Sequence, residues 1–380
     1  MFASKKRLLL LVVLGLVLAG ISACAPAAPP PAPAPTKEAA PAATPVPQTP
    51  TPVATAKPAA APATSTAMAP AAMKVRFASP GFVSDAGVYV AQEKGYFKQE
   101  GIDLELVTIK TAADAPPLLA RGDIEVAGGS TSAGLFNAIA RGIDMKIVAD
   151  KGVQAKGFGW QGVVVRKDLA DQIKTPADLK GRKIGASCSN CTVDYFFHFV
   201  LQLGKLTFKD VDMVDLAAPD TMAAFANKSI DAAILVEPNP TIAADRGLGV
   251  NWIKNDEVDP GAQAAVIIIS PTFATNMDAA RRFAVAYVRG LRDYNDAFVK
   301  NKGKAEIISI LAKYTTTKDL ALYEKVVMAA LHPDGAINVD SLVQQQEFFI
   351  ERGGMTSRID LKKAIDTQFV EYAVQKLGKY

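Results

Sequence analysis

The stretch Val88-Tyr-Val-Ala-Gln-Glu-Lys-Gly-Tyr-Phe-Lys-Gln-Glu-Gly-Ile-Asp-Leu-Glu-Leu106 sets the architecture, because it holds the end of a helix, a stop and the start of a strand. Asp85 to Lys94 has helical spacing, with Val88, Tyr89 and Ala91 toward one face, and Gly95 ends it. From Ile102 to Ile109 apolar residues alternate with polar ones, the period of a half-buried strand. The same rhythm runs outward on both sides. Lys74 to Ser79 reads as a strand, Ala112 to Arg121 as a helix closed by Gly122, Ile124 to Ala127 as a strand, Ser132 to Arg141 as a helix ended by Gly142, and Met145 to Ala149 as a strand. This alternation predicts an α/β chain of parallel strands with helices on both faces of each sheet.

A second series follows Gly162-Val-Val-Val-Arg-Lys-Asp168, a β-branched run read as the strand leaving the first lobe. Thr175 suits an N-cap and Pro176 the first helical position, where its missing N–H is harmless. Strand 183–186, helix 192–203, strand 212–216, helix 221–228 and strand 231–236 come next, and 264–270 carries the chain back. Asn276 to Tyr380 is almost all helical pattern. The expected organisation is a lobe of 74–167 plus 266–380 and a lobe of 168–265, joined by two crossing strands over a cleft that closes by hinge motion.

The N-terminal part has another character. Lys5, Lys6 and Arg7 precede an apolar run from Leu8 that ends at Ile21-Ser22-Ala23-Cys24, the pattern of an export signal over 1–23. Ile21-Ser-Ala-Cys24 resembles the bacterial lipobox, which implies cleavage before Cys24 and lipidation of its thiol. Two or more acyl chains anchor a protein stably, where one does so only marginally. Residues 24–73 hold that cysteine and a spacer rich in Ala, Pro, Thr and Ser, with more than half of the chain's 24 Pro, which cannot bury a core and favours extended polyproline-like conformations. The expected location is the extracytoplasmic face of the cell membrane. A net charge of +4 over the whole chain, with no dense basic run after residue 7, gives no electrostatic case for nucleic acid.

Several separated segments resemble one family of ABC-importer solute-binding proteins, which take up sulfonates, taurine, nitrate, thiamine pyrimidine precursors and riboflavin. They are the opening stretch, Leu119-Ala-Arg-Gly-Asp-Ile-Glu-Val126, Ala140-Arg-Gly-Ile143, Thr175-Pro-Ala-Asp-Leu-Lys-Gly-Arg-Lys-Ile-Gly185 and Asp231-Ala-Ala-Ile-Leu-Val-Glu-Pro238, in the family's order. The resemblance implies a type II periplasmic-binding fold, a ligand between the lobes, and an ABC permease with its ATPase as partners. A monomer without catalytic residues, metal or cofactor is expected.

Ligands of such α/β lobes meet loops at the carboxyl ends of strands. In Ser79-Pro-Gly-Phe-Val-Ser-Asp85, Phe82 can stack on a ring while Ser84 or Asp85 hydrogen-bonds, although Asp85 also suits a helix N-cap. Tyr89, one turn on, joins this group. Gly128-Gly-Ser130-Thr131 offers N–H groups and two hydroxyls at a helix start, or else forms only a tight turn. Ser187-Cys-Ser189-Asn190-Cys-Thr192 opens a helix from the other lobe. Its Cys188 and Cys191 read as core thiols plus an N-cap, with a local disulfide feasible outside the cytoplasm. As a metal site this motif is weak, since the chain has only His198 and His332. Glu237 matches the family's acidic position at the cleft mouth, and Trp160 is either a stacking residue or a buried hinge residue.

These four loops carry no basic or histidine donor, as a nitrate or sulfonate site would want. With the long helical C-terminal part and Asp85, the chain looks most like the riboflavin-binding members of the family, which implies riboflavin as ligand. The thiamine pyrimidine precursor and an aromatic or sulfonate compound are the alternatives. A pyrimidine-synthesising enzyme of the same fold is the reading from a different class, but it uses an active-site His and a cysteine-rich motif that Cys188-Ser-Asn-Cys191 is too sparse to match. His198, inside an aromatic helix face, reads as a satisfied core residue.

Overall fold

The computed structural model describes residues 72–380. The export signal, the spacer and Cys24 lie outside the described residues. Ten strands form two five-stranded sheets. The first is built from β1 (Met73–Ser79), β2 (Ile102–Thr108), β3 (Val126–Ser130) and β4 (Lys146–Val153), joined by β10 (Gln263–Ile269), in the order β2-β1-β3-β10-β4. The second holds β5 (Gln161–Arg166), β6 (Lys183–Ala186), β7 (Asp212–Asp215), β8 (Ala232–Val236) and β9 (Gly249–Lys254), in the order β7-β6-β8-β5-β9.

Both sheets are mixed, not wholly parallel. β1 runs parallel to β2 and β3, but β10 is antiparallel to both β3 and β4. β6 is parallel to β7 and β8, and β5 is antiparallel to β8 and β9. The cause is the path between lobes: β5 and β10 each enter a sheet just after the chain has crossed, travelling against the strands already there. β5 therefore lies in the second sheet, and the first crossing falls at 154–160, ahead of the expected boundary at 167/168. The return crossing is the short segment 259–262, and neither crossing is a strand. The two are tied to each other by Gln154 N donating to Ala262 O at 2.8 Å.

The opening stretch folds as its pattern implies. Helix Ala86–Glu93 buries Ala86 through Ala91, and Gly95 takes a left-handed φ of 70° that a side chain would disfavour. Its partner is the 22-residue helix Met277–Phe298, whose Phe283, Tyr287, Leu291 and Tyr294 recur at helical spacing and are buried. Gly87 and Gly290 face each other where the helices touch: a Cβ on Gly290 would stand 2.0 Å from Gly87 O. A reading of 276–380 as nearly all helix overstates it. Between helices Lys304–Tyr314 and Val339–Glu351 the chain runs without α-helix past the end of β4, where Val153 N bonds Ala330 O at 3.0 Å. Thr315-Thr-Thr317 is β-branched and His332-Pro-Asp-Gly335 carries turn residues, which is why helical structure breaks there. Among the described residues no helix is long and apolar enough to cross a membrane.

Candidate functional site

Strand register places the carboxyl ends of β1, β3 and β4 on one edge of the first sheet, and those of β6 and β8, beside the start of β5, on one edge of the second. The first edge carries the densest polar group. Asp85 occupies the N-cap position of helix Ala86–Glu93, yet its side chain caps nothing there. One oxygen, Oδ2, accepts from Ser79 Oγ and from Phe82 N at 3.2 Å. The other, Oδ1, lies 3.2 Å from the Nζ of Lys151, and the two side chains are 0% and 2% exposed. Lys151 also donates to Ser84 Oγ at 2.9 Å. Its ammonium stands 5.7 Å from the ring centroid of Phe82, a residue 45% exposed. The N-cap role is thus replaced by a buried ion pair.

Lys151 was not legible as a site residue. Met145 to Ala149 reads as an apolar strand that stops before Asp150-Lys151, whereas β4 continues through both to Val153. The signal was a charged dipeptide directly after a buried run. Gly128 has the complementary role: a Cβ there would lie 2.3 Å from Asp85 Oδ1 and 2.5 Å from Lys151 Cε, so the pair fits only against glycine. Gly128 and Gly129 belong to β3 and form no tight turn. Tyr89 turns its hydroxyl toward Asp85 and Ser79, and burial holds its phenol well above the ordinary range. Its ring stacks on Tyr314 with centroids 5.2 Å apart.

Other expected site residues separate into three places. Ser130 is partly exposed at the end of β3, but Thr131 is fully buried and donates to Gln345 Oε1, which commits its hydroxyl inside the fold. Trp160 is almost buried against Gly152, with Nε1 donating to Val153 O at 3.3 Å, and its carbonyl accepts from Glu237 N at 2.8 Å. The Glu237 carboxylate accepts from Thr241 Oγ1 at 2.9 Å and Thr241 N at 3.3 Å; burial pushes it up from the usual carboxylate range. It borders a recess of about 170 Å3 that also touches Trp252, Lys254 and Lys325. Trp252 and Lys254 lie on β9, a partly exposed edge strand with little apolar patterning.

Ser189 and Asn190 form the third place. Cys188 and Cys191 are joined in a disulfide, so the reading as free core thiols is corrected. Cys191 holds the N-cap position of helix Thr192–Leu203 without a side-chain capping bond. Ser189 is exposed. Asn190, at φ 54°, offers its carbonyl to Ala133 N at 3.0 Å and packs its side chain beside Gly354. The cysteine loop therefore meets the first lobe and the C-terminal part directly. Asp194, buried four residues on, is held by Arg352 Nη2 at 3.3 Å, and burial raises its carboxyl. Tyr195 and His198 of the same helix pack on Phe348. Burial lowers the His198 imidazole.

Two mixed five-stranded sheets with facing edges and a helical C-terminal part define a two-lobed fold of the type II periplasmic-binding class. The chain belongs to the protein family described as NMT1/THI5 like, whose match runs over residues 83–296. A Bacillus subtilis (strain 168) protein named for binding aliphatic sulfonates is 24% identical over 298 residues, 76% of this chain and 84% of that one. The solved periplasmic nitrate-binding protein NrtA of Synechocystis PCC 6803 has a TM-score of 0.65 at 16% identity, covering 80% of this chain and 89% of its own. The desulfurization enzyme DSZB shares the fold at a TM-score of 0.54 and 15% identity, over 80% of this chain and 99% of the enzyme. The fold thus hosts both binding and catalysis, and function must be argued from the site.

Proposed function

We propose that this chain is the solute-binding component of an ABC importer, tethered through lipid on Cys24 at the extracytoplasmic face of the membrane. It captures a small molecule between its lobes and delivers it to a permease and its ATPase. The observation that carries this reading is the group Phe82, Ser84, Asp85 and Lys151, a half-exposed aromatic ring beside a buried polar set, on the sheet edge from which β4 leads into the crossing to the second sheet. Closure on a ligand follows from tighter binding to the closed arrangement than to the open one. The two crossings at 154–160 and 259–262 are the short segments that can bend.

Riboflavin is the ligand we propose, because its ring system can stack on Phe82 and its ribityl hydroxyls can meet hydroxyls such as that of Ser130, which is partly exposed at the end of β3. The second reading is a sulfonate. Lys151 supplies the basic group whose absence from the four loops argued against anions, and the Bacillus relative is named for such ligands. Titration of the purified chain separates them. Riboflavin fluorescence should be quenched at micromolar protein, and alkanesulfonates should give no heat in calorimetry. Heat with a sulfonate and unquenched flavin would reverse the choice of ligand.

A further inference from the structure

We propose that Cys188–Cys191 is a thiol–disulfide exchange site, and that its reduction by a dithiol releases a latch holding the second lobe against the first. The pair lies in Ser187-Cys-Ser-Asn-Cys-Thr192, between β6 and helix Thr192–Leu203, and its sulfurs are joined. Asn190, inside the ring, is the latch. Its φ of 54° is left-handed, an uncommon setting for a residue with a side chain. In that setting its carbonyl accepts from Ala133 N of the first lobe at 3.0 Å. Its side chain packs on Gly354, where a Cβ would stand 2.7 Å from Asn190 Cγ. Gly354 is itself tied to helix Ala133–Ala140, its carbonyl accepting from Asn137 Nδ2 at 2.7 Å. Asn190 N donates to Asp194 Oδ2 at 2.8 Å, and Arg352 of the C-terminal part holds that carboxylate at 3.3 Å. Cys191 pairs with Ser132 as an isolated antiparallel bridge. A single ring of the second lobe thus meets the first lobe and the C-terminal part together.

Global stability does not account for this bond. The stabilisation a disulfide gives grows with the loop it closes, and this one joins residues only 3 apart in sequence. What so small a ring fixes is the local backbone, Asn190 included. Once the ring opens, Asn190 returns to a negative φ, its carbonyl turns away from Ala133, and the lobes lose that contact. Their equilibrium then shifts toward the open arrangement. The chemistry is within reach of a reductant. Cys188 is partly exposed beside the exposed Ser189, while Cys191 is buried. A thiolate of the dithiol attacks Cys188 Sγ and the S–S bond breaks. Cys191 Sγ leaves with the electron pair, at the N-cap position of a 12-residue helix whose positive end favours an anion. The second thiol of the reductant then displaces Cys188 from the mixed disulfide. The protons of the dithiol pass to the cysteines, so the chain is reduced to a dithiol and the reductant is oxidised to a disulfide.

Amide hydrogen exchange, followed by mass spectrometry on the purified chain, tests this without any ligand, so its failure and that of the importer reading are separate results. Ala133 stands at the first position of its helix, where an N–H has no acceptor within the helix, and among the described residues Asn190 alone protects it. Dithiothreitol should reduce the bond in the folded chain and speed exchange at Ala133 about tenfold, leaving β8 unchanged. The double variant Cys188→Ser with Cys191→Ser should do the same without reductant. Gly354→Ala strikes the latch from the opposite side with the disulfide intact. It should speed both exchange at Ala133 and reduction by dithiothreitol, each about threefold. Equal exchange at Ala133 in the oxidised, reduced and double-variant chains overturns the proposal, as does a bond that dithiothreitol reaches only in urea. A rise at β8 as large as that at Ala133 overturns it too, because the disulfide would then be a staple of the whole fold.

Discussion

Removing Lys151 would strand a carboxylate that has no water to turn to. Asp85 is 0% exposed, and of its two oxygens one depends on the ammonium as its only charged neighbour within 4 Å among the described residues. Breaking a buried pair by deleting one partner costs about 3–5 kcal/mol, much of it the penalty on the survivor. Lys151→Met should therefore destabilise the chain by about that amount in urea unfolding at neutral pH. Adding Asp85→Asn should recover a substantial part, since both charges are then gone. A single-variant loss below about 1 kcal/mol, the range of exposed pairs, would mean that water reaches the site after all. The same residues mark the limit of reading a chain by its periodicity. Phe82, Ser84, Asp85 and Tyr89 were visible because they follow a recognisable strand and open a recognisable helix. Lys151 was invisible because its meaning lies in a partner on another element, which alternation along one strand does not encode.

At the level of elements, local pattern sufficed where burial enforced it. Strand 183–186 and helix 192–203 occupy the residues expected of them, the first between two parallel neighbours and the second with eight of its side chains buried. β9 carries little local signal because Gly249-Val-Asn-Trp-Ile-Lys254 sits at a sheet edge, partly exposed, where apolar patterning is weak. Strand direction was also beyond local pattern, being set by the route of the crossings. Helix contact gives a sharper test of what packing demands. On Gly290→Ala the new methyl would meet Gly87 O at 2.0 Å, a backbone atom that no rotamer change can move aside. Overpacking costs typically about 1–3 kcal/mol, and this site should reach the upper end because two helices must separate. Gly134→Ala is the control: it lies inside helix Ala133–Ala140 with Ser132 Oγ at 3.7 Å as the nearest obstacle. It should stabilise by about 0.5–1 kcal/mol through helix propensity. Thermal denaturation of the two variants should therefore move Tm in opposite directions; a common direction would mean that helix contact is not limiting.

At the scale of the whole molecule, a polar junction ties β4, β10 and the C-terminal stretch together, and it makes stability depend on pH. Asp150 is fully buried between the sheet and the C-terminal stretch. Its Oδ1 accepts from Gln263 Nε2 at 2.6 Å and Gly152 N at 2.9 Å, and its Oδ2 from His332 N at 2.7 Å. Gln263 also receives Asn338 N on its Oε1 at 2.9 Å, so the first lobe, the returning strand and the C-terminal part meet at one carboxylate. Burial outweighs these donors and pushes Asp150 up to about 6, above the 3.8 of a free aspartate. The folded chain consequently binds a proton that the unfolded chain has released at any pH between those values. Stability from this group is complete below pH 3.8 and is lost as pH rises through about 6, the opposite of a salt-bridged carboxylate. The loss amounts to about 3 kcal/mol, because each tenfold change in proton affinity between the folded and unfolded chain is worth about 1.4 kcal/mol. Asp259, also pushed to about 6 by burial, acts in the same direction, as do the raised Asp194 and Glu237, while His198 and His332, whose imidazoles burial lowers, oppose it. Asp168, held near 2 by Arg166 and Lys228, is ionised in both states above pH 5 and leaves that part of the window undisturbed. Urea midpoints of the wild type should therefore fall between pH 5 and about 6.5. Asp150→Asn, whatever it costs at every pH through its lost acceptor, should flatten that fall, leaving a smaller slope set by the raised carboxyls Asp194, Glu237 and Asp259 against the lowered imidazoles His198 and His332. A variant that keeps the full wild-type slope would show that Asp150 stays ionised in the folded chain, its three N–H donors outweighing the loss of water.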